Sequence, residues 1–250
     1  MAGEEQFKPS EQMLKSNFNP DGTHQESIET LKFIAKWHDT PFPFSKSEHW
    51  GRFGILGVLG HMVLQTLPNT HILEIGTGES SIYLTELARR MNRKFYGCDF
   101  AQGKIYNPST VSGYLHEDRI LVRQGNIPLE YKNYQATMFI GTSDAFFKEL
   151  EFPSIGLAFI DGEHKFEQVK KDFDNTFNLL SDDGYIFLHD TYPPEESYVL
   201  NEYCADAYKM RQELEKRDDV DCFTFNKMVA CNVGITMARK RKKNREYYNE

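Results

Sequence analysis

The sequence predicts an α/β protein: a doubly wound, mostly parallel sheet of seven strands, helices on both faces and an antiparallel last strand. Three observations predict it. From His71 onward, short apolar runs alternate with amphipathic stretches of helical period, the order of a parallel sheet whose crossovers cover both faces. The run His71-Ile72-Leu73-Glu74-Ile75 passes into Gly76-Thr77-Gly78-Glu79-Ser80-Ser81, the strand–turn–helix junction at which such sheets take a ligand. The last two apolar runs, near 220–225 and 229–238, have only a short connection, so one of the two strands runs antiparallel.

Each element follows from its punctuation. Residues 1–24 are polar and interrupted by Pro9, Pro20 and Gly22, so the start reads as loose. A helix is expected around Ser27 to Trp37, with Ile28, Leu31, Ile34 and Ala35 on one face, broken by Pro41 and Pro43. A second apolar helix, from Trp50 to Leu67, stops at Pro68-Asn69. Strand 71–75 leads into a helix over 79–92 with Leu84, Leu87, Ala88 and Met91 inward, and strand 94–98 ends at Asp99. Residues 100–135 are a polar insertion, longer than an ordinary connection. Strand 136–140, a short helix over 144–150 and strand 155–160 follow, the last ending at Asp161. Phe166, Val169, Phe173, Phe177 and Leu180 mark the next helix. Asp182-Asp183-Gly184 then turns into strand 185–188, ending at His189-Asp190, before a helix over 197–216. The chain thus divides into an N-terminal segment, 1–49, suited to a lid or an interface, a main domain, 50–239, and a basic tail, 240–250.

Composition narrows the function. The 250 residues suit one large domain with its own core. Net charge is −8 although Arg239, Lys240, Arg241, Lys242, Lys243 and Arg245 crowd the end, so the rest is more acidic still. An acidic body does not suit a protein that grips nucleic acid by its phosphates, and a basic end is most simply a solvated terminus. No apolar run reaches the ~20 residues that span a bilayer, and Met1-Ala2-Gly3-Glu4-Glu5-Gln6 is unlike a signal peptide. Cys98, Cys204, Cys222 and Cys231 are scattered, which fits reduced thiols in the cytoplasm rather than structural zinc.

Polar residues gather at the carboxyl ends of the strands, where a doubly wound sheet binds ligands: Glu74, Gly76, Asp99, Ser143, Asp161, His189 and Asp190. Asp99 stands about 20 residues beyond the glycine turn, the spacing at which an acid meets a ribose diol. The turn lacks the third glycine of the dinucleotide fingerprint. Glu74 would repel a diphosphate, whereas a sulfonium and an ammonium would be drawn to it. That favours S-adenosylmethionine over a nicotinamide dinucleotide.

At these residues the chain resembles the class I S-adenosylmethionine-dependent methyltransferases, which share a Rossmann-like sheet. The resemblance spans about Trp50 to Arg239. It rests on Leu73-Glu74-Ile75-Gly76-Thr77-Gly78, Asp99, Phe159-Ile160-Asp161-Gly162-Glu163-His164 and Gly184-Tyr185-Ile186-Phe187-Leu188-His189-Asp190-Thr191. The last two blocks look like the branch of small O-methyltransferases acting on catechols, sugars and macrolide sugars. The resemblance implies that Asp99 holds the ribose, that Gly76 and Gly78 line the methionine, and that Ile140-Gly141-Thr142-Ser143-Asp144 edges the adenine. Glu74, Thr77, Ser80, Ser81 and Asp161 complete the expected cofactor site.

Asp161 and His189-Asp190 end two strands expected to be neighbours. Such a group could hold a divalent ion, magnesium or manganese, that lowers the pKa of a substrate hydroxyl. The plain alternative is that Asp190 caps its turn and His189 packs. His164 follows Asp161 by three residues and is the candidate base that takes a hydroxyl proton, with Asp161 beside it; it could also be a helix-start histidine without chemistry. The expectation is methyl transfer to a hydroxyl of a small molecule or sugar, with a homodimer compatible. A non-catalytic cofactor-binding module and a nucleic-acid methyltransferase are the alternatives, and a hydroxylase-like group shares the Asp-Gly-x-His pattern. The acceptor would be met by Trp37, Phe42, Phe44, Trp50 and Phe53, or by the insertion with Lys104, Arg119 and Arg123, although the rings equally suit plain packing.

Overall fold

Apolar runs too short for helices pair edge to edge, and here they build a sheet of nine strands. The structure, a computed structural model, describes residues 48–100, 120–124, 127–130, 136–200, 203–226 and 233–242, without the side chains of 48–55, 79, 82, 86 and 120–130. Residues 1–47 of the expected N-terminal segment, the rings of Trp37, Phe42, Phe44, Trp50 and Phe53, Lys104, Arg119, the side chain of Arg123 and the tail beyond Lys242 lie outside the described residues.

In chain order the elements are α1 (Glu48–Gln65), β1 (His71–Ile75), α2 (Glu79–Arg90), β2 (Phe95–Asp99), β3 (Ile120–Gln124), β4 (Ile127–Glu130), β5 (Ala136–Ile140), α3 (Ser143–Glu149), β6 (Ile155–Ile160), α4 (Phe166–Leu179), β7 (Leu180–His189), α5 (Ser197–Leu200), α6 (Tyr208–Leu214), β8 (Val220–Phe225) and β9 (Ile235–Lys240). The sheet order is β4-β3-β5-β2-β1-β6-β7-β9-β8. Strands β3, β5, β2, β1, β6 and β7 run parallel. β9 inserts antiparallel between β7 and β8. All seven expected strands are therefore present, and the last in the chain is the antiparallel one.

Three details differ from expectation, each for a local reason. The insertion carries a hairpin, β3 and β4, that extends the sheet beyond β5. Its signal was slight: Ile120-Leu121-Val122 ahead of Gly125-Asn126, with Gln124 paired to Ile127 across two residues. Pro128 stands on the edge strand, where a missing N–H is tolerated. The expected helix over 197–216 divides into α5 and α6. Between them the Cys204 N–H closes on the Tyr198 carbonyl at 2.9 Å, and Ala205 takes a left-handed φ of +38° that no helix continues. The turn at Asp182-Asp183-Gly184 becomes a bulge inside β7, with Leu180 opposite Ile155 and Tyr185 opposite Leu157.

Every position of β6 is buried, as a central parallel strand covered on both faces must be. Alternation along β1 sends Leu73 and Ile75 to the face where Phe146, Phe173, Met210 and Leu214 gather from α3, α4 and α6. Glu74, one residue out of phase, faces α2. Gly60 lets α1 lie close: a Cβ there would stand 2.6 Å from Leu157 and 2.7 Å from Leu87. Among the described residues no helix is long and apolar enough to cross a membrane.

Candidate active site

Ladder bonds carry the strand ends forward in step. Gly76 N–H donates to the Cys98 carbonyl at 2.8 Å, Asp161 N–H to the Ile75 carbonyl at 2.8 Å and Gly141 N–H to the Asp99 carbonyl at 2.9 Å. The turns after β5, β2, β1 and β6 therefore share one row at the carboxyl edge of the sheet. The two glycines of the first turn have different tasks. Gly76 has φ +81°, and a Cβ would lie 2.0 Å from the Asp161 carbonyl, so its neighbour strand demands glycine. Gly78 is extended, and a Cβ there would meet nothing within 4 Å. This is the place where a ligand can approach the backbone.

The polar groups around the turn largely hold one another. Glu74 is fully buried; Ser80 Oγ donates to its Oε1 and Ser81 Oγ to its Oε2, both at 2.5 Å. Ser81 Oγ also accepts the Gly78 N–H at 2.9 Å, tying down the first turn of α2. Burial pushes the Glu74 carboxyl up to about 8, against the pull of the two serines. Both oxygens of this residue, expected to face the cofactor's cationic groups, are thus engaged beneath the helix. Thr77 gives its N–H and hydroxyl to Asp99 Oδ2 at 3.0 and 3.3 Å, which fixes the half-buried acid at the end of β2.

Beyond Asp99, α3 begins at Ser143. Gln168 of α4 donates from one nitrogen toward Ser143 Oγ at 3.0 Å, Asp144 Oδ1 at 3.3 Å and Asp172 Oδ1 at 3.0 Å. Burial raises the Asp172 carboxyl to about 6 although Ser143 and Gln168 bond to it. Neither Gln168 nor Asp172 was foreseen as part of the site. The signal was an acid at a core-facing position of α4, beside Val169, Phe173 and Thr176.

At the other end of the row, four side chains meet. His164 Nε2 lies 3.1 Å from Asp190 Oδ2 and 3.7 Å from Asp161 Oδ1. His189 Nδ1 lies 3.2 Å from each of the same two oxygens. Imidazole nitrogens and carboxylate oxygens thus alternate around a ring. The side chains of His164 and Asp161 are 27% and 21% exposed, those of His189 and Asp190 6% and 4%, so His164 is on the open side. Asp190 holds φ +58°, and the Cys204 thiol donates to its Oδ1 at 3.6 Å. The Asp206 N–H braces the His164 carbonyl at 3.0 Å. Nothing in the sequence marked Cys204, which arrives from beyond α5. Burial alone would raise the Asp161 carboxyl, but the His189 charge and bonds from both histidines bring it down to about 2. The bond to Asp161 raises the His164 pKa, burial opposes it, and Asp190 adds to the rise.

For a metal, the donor chemistry fits in part. Among the described residues, Asp161, His164 and Asp190 each offer one ligand atom, all within 4.8 Å of one another. His189, expected as the third ligand, stands outside that group and contacts both carboxylates instead.

A family model described as a methyltransferase domain matches residues 73–191, from β1 to the residue after Asp190. Residues 73–191 thus match a methyltransferase domain. The matched span holds the glycine turn, Asp99, the Gln168–Asp172 network and the histidine–carboxylate ring, so the methyltransferase core and the site coincide. The chain matches no curated protein sequence. Among solved structures it is similar to the S-adenosylhomocysteine-bound methyltransferase PaMTH1 of Podospora anserina, at 16% identity and TM-score 0.54, over 90% of this chain and 98% of the other. It is similar to the O-methyltransferase TomG of Streptomyces achromogenes, involved in tomaymycin synthesis, at 14% identity and TM-score 0.53, over 86% and 96% of the two chains. A Bacillus cereus O-methyltransferase matches at 13% identity and TM-score 0.52, over 92% and 96%. At such identities the likeness is one of fold, that of the class I methyltransferases.

Proposed function

We propose that this methyltransferase moves the methyl group of S-adenosylmethionine to a hydroxyl of a small molecule or sugar. The observation that carries the reading is the single row of strand ends, with the open Gly78 turn and Asp99 toward one end and His164 between two carboxylates at the other. Along that row Asp99 holds the ribose hydroxyls, and Ser143 and Asp144 edge the adenine. Gly76 and Gly78 would line the methionine, with Asp161 at the next strand end. Thr77, Ser80, Ser81 and Glu74 act by holding Asp99 and the start of α2. The S-adenosylmethionine in TomG and the S-adenosylhomocysteine in the Bacillus cereus enzyme support that cofactor.

The reaction is an in-line displacement. The acceptor oxygen forms a bond to the methyl carbon as the carbon–sulfur bond breaks, and the sulfur keeps the pair and leaves as a neutral thioether. His164 takes the acceptor proton, and Asp161 and Asp190 stabilise the imidazolium that results. A second reading places magnesium or manganese at Asp161, His164 and Asp190, and is favoured by their three ligand atoms lying within 4.8 Å of one another. A bound divalent ion would supply a lowered pKa to the acceptor hydroxyl. The acidic body disfavours nucleic acid as acceptor, and the free thiols of Cys98, Cys204 and Cys222 suit the cytoplasm.

The test is transfer of label from methyl-labelled S-adenosylmethionine to a panel of sugars, nucleotide sugars and phenols. Label is expected in at least one hydroxyl compound, and His164→Ala is expected to abolish it while keeping affinity for S-adenosylhomocysteine. Label entering only amines or nucleic acid contradicts the reading.

A further inference from the structure

Proton transfer by His164 leaves its neighbour His189 without a task. His189 ends β7 and is almost wholly covered, so it faces no acceptor. Its Nδ1 lies 3.2 Å from Asp161 Oδ1 and 3.2 Å from Asp190 Oδ2, midway between two acids. An ionised carboxylate only accepts hydrogen bonds, so the proton in the bond to Asp161 belongs to Nδ1, and the Asp190 oxygen lies at the same distance from that nitrogen. The remaining Asp190 oxygen already accepts the Cys204 thiol. An ion held by the shared oxygens of Asp161 and Asp190 would have to displace the His189 Nδ1 that already lies 3.2 Å from each of them. Two facing carboxylates nonetheless need positive charge between them.

We propose that the Nδ1–H of His189 takes the place of a divalent cation between Asp161 and Asp190, so that the site works without a metal and His164 stays open to the acceptor's proton. The inference rests on the function proposed above, of which it selects the metal-free form.

Three measurements on the full chain test it. Manganese is titrated into protein loaded with S-adenosylhomocysteine, and free manganese is followed by its paramagnetic resonance. Wild type is expected to leave the ion free at millimolar concentration. His189→Asp removes the N–H and adds a third carboxylate, so it should gain manganese affinity at least ~10-fold. His189→Asn, the gentler variant, should gain less. In chelator-treated wild type, proton resonance should show an Nδ1–H on His189 that the Asn variant lacks. Submillimolar manganese binding by wild type overturns the inference. So does an unprotonated Nδ1, or the failure of a variant that still binds S-adenosylhomocysteine to gain manganese. Absence of S-adenosylhomocysteine binding by wild type would instead sink the proposed function, and the manganese titration of wild type would still be read separately.

Discussion

Glu74 and Asp172 are acids folded into places where charge is expensive. Burial sets their folded pKa values near 8 and 6, above ordinary values of 4.5 and 3.8. The folded chain then keeps protons that the unfolded chain releases. Their contribution to stability is full below the ordinary values and is lost as pH rises, through 3.8 to 6 for Asp172 and 4.5 to 8 for Glu74. At about 1.4 kcal/mol per unit, the Glu74 loss is on the order of a few kcal/mol. Thermal melts should show the midpoint falling from pH 4.5 to 8, with Glu74→Gln flattening the fall; a midpoint that rises over that window contradicts the burial argument. His164 must be neutral to act as a base, and its pKa is raised above 6.5, so kcat/KM should climb on the alkaline side of 6.5. Asp190→Asn removes one cause of the rise and should move that limb to lower pH. A profile flat through this range would remove His164 as the base. Asp99, Asp161, His164 and Asp190 could be read from the sequence because each ends or follows a strand. Cys204 and Gln168 could not, since each reaches the site from an element whose own pattern says nothing about its partner.

At the scale of the elements, the turn between β1 and α2 separates stability from binding. Gly76→Ala forces a Cβ into the backbone of Asp161 at a positive φ, so urea unfolding should show a loss of ~3 kcal/mol or more. Gly78→Ala meets no atom of the protein and should cost under ~1 kcal/mol of stability. Calorimetry should nevertheless show weaker S-adenosylhomocysteine binding, because the added methyl enters the space left for the ligand. Equal stability losses in the two variants would contradict this division. Strands β1, β2, β5 and β6 were legible because continuous apolar runs bounded by turns leave little choice. The hairpin β3–β4 was masked by its polar surroundings. The break between α5 and α6 depends on a bond from Cys204 to Tyr198 and on the φ of Ala205, neither of which leaves a mark in helical periodicity.

Across the whole molecule, sheet order turns separate motifs into one site. β5, β2, β1, β6 and β7 stand side by side, so residues from Asp99 to Asp190, far apart in sequence, share the carboxyl edge of one sheet. The sequence disclosed that edge and the chemistry of its residues, but not which polar groups spend their bonds on one another, because those contacts depend on side-chain direction. The central claim is that this row binds S-adenosylmethionine through Asp99 and the open turn. Calorimetric titration with S-adenosylhomocysteine tests it most directly: one molecule should bind per chain, and Asp99→Ala should weaken binding at least ~10-fold, about 1.4 kcal/mol, while the protein stays folded. A wild-type chain that binds none, or an Asp99→Ala chain that binds equally well, would contradict the account.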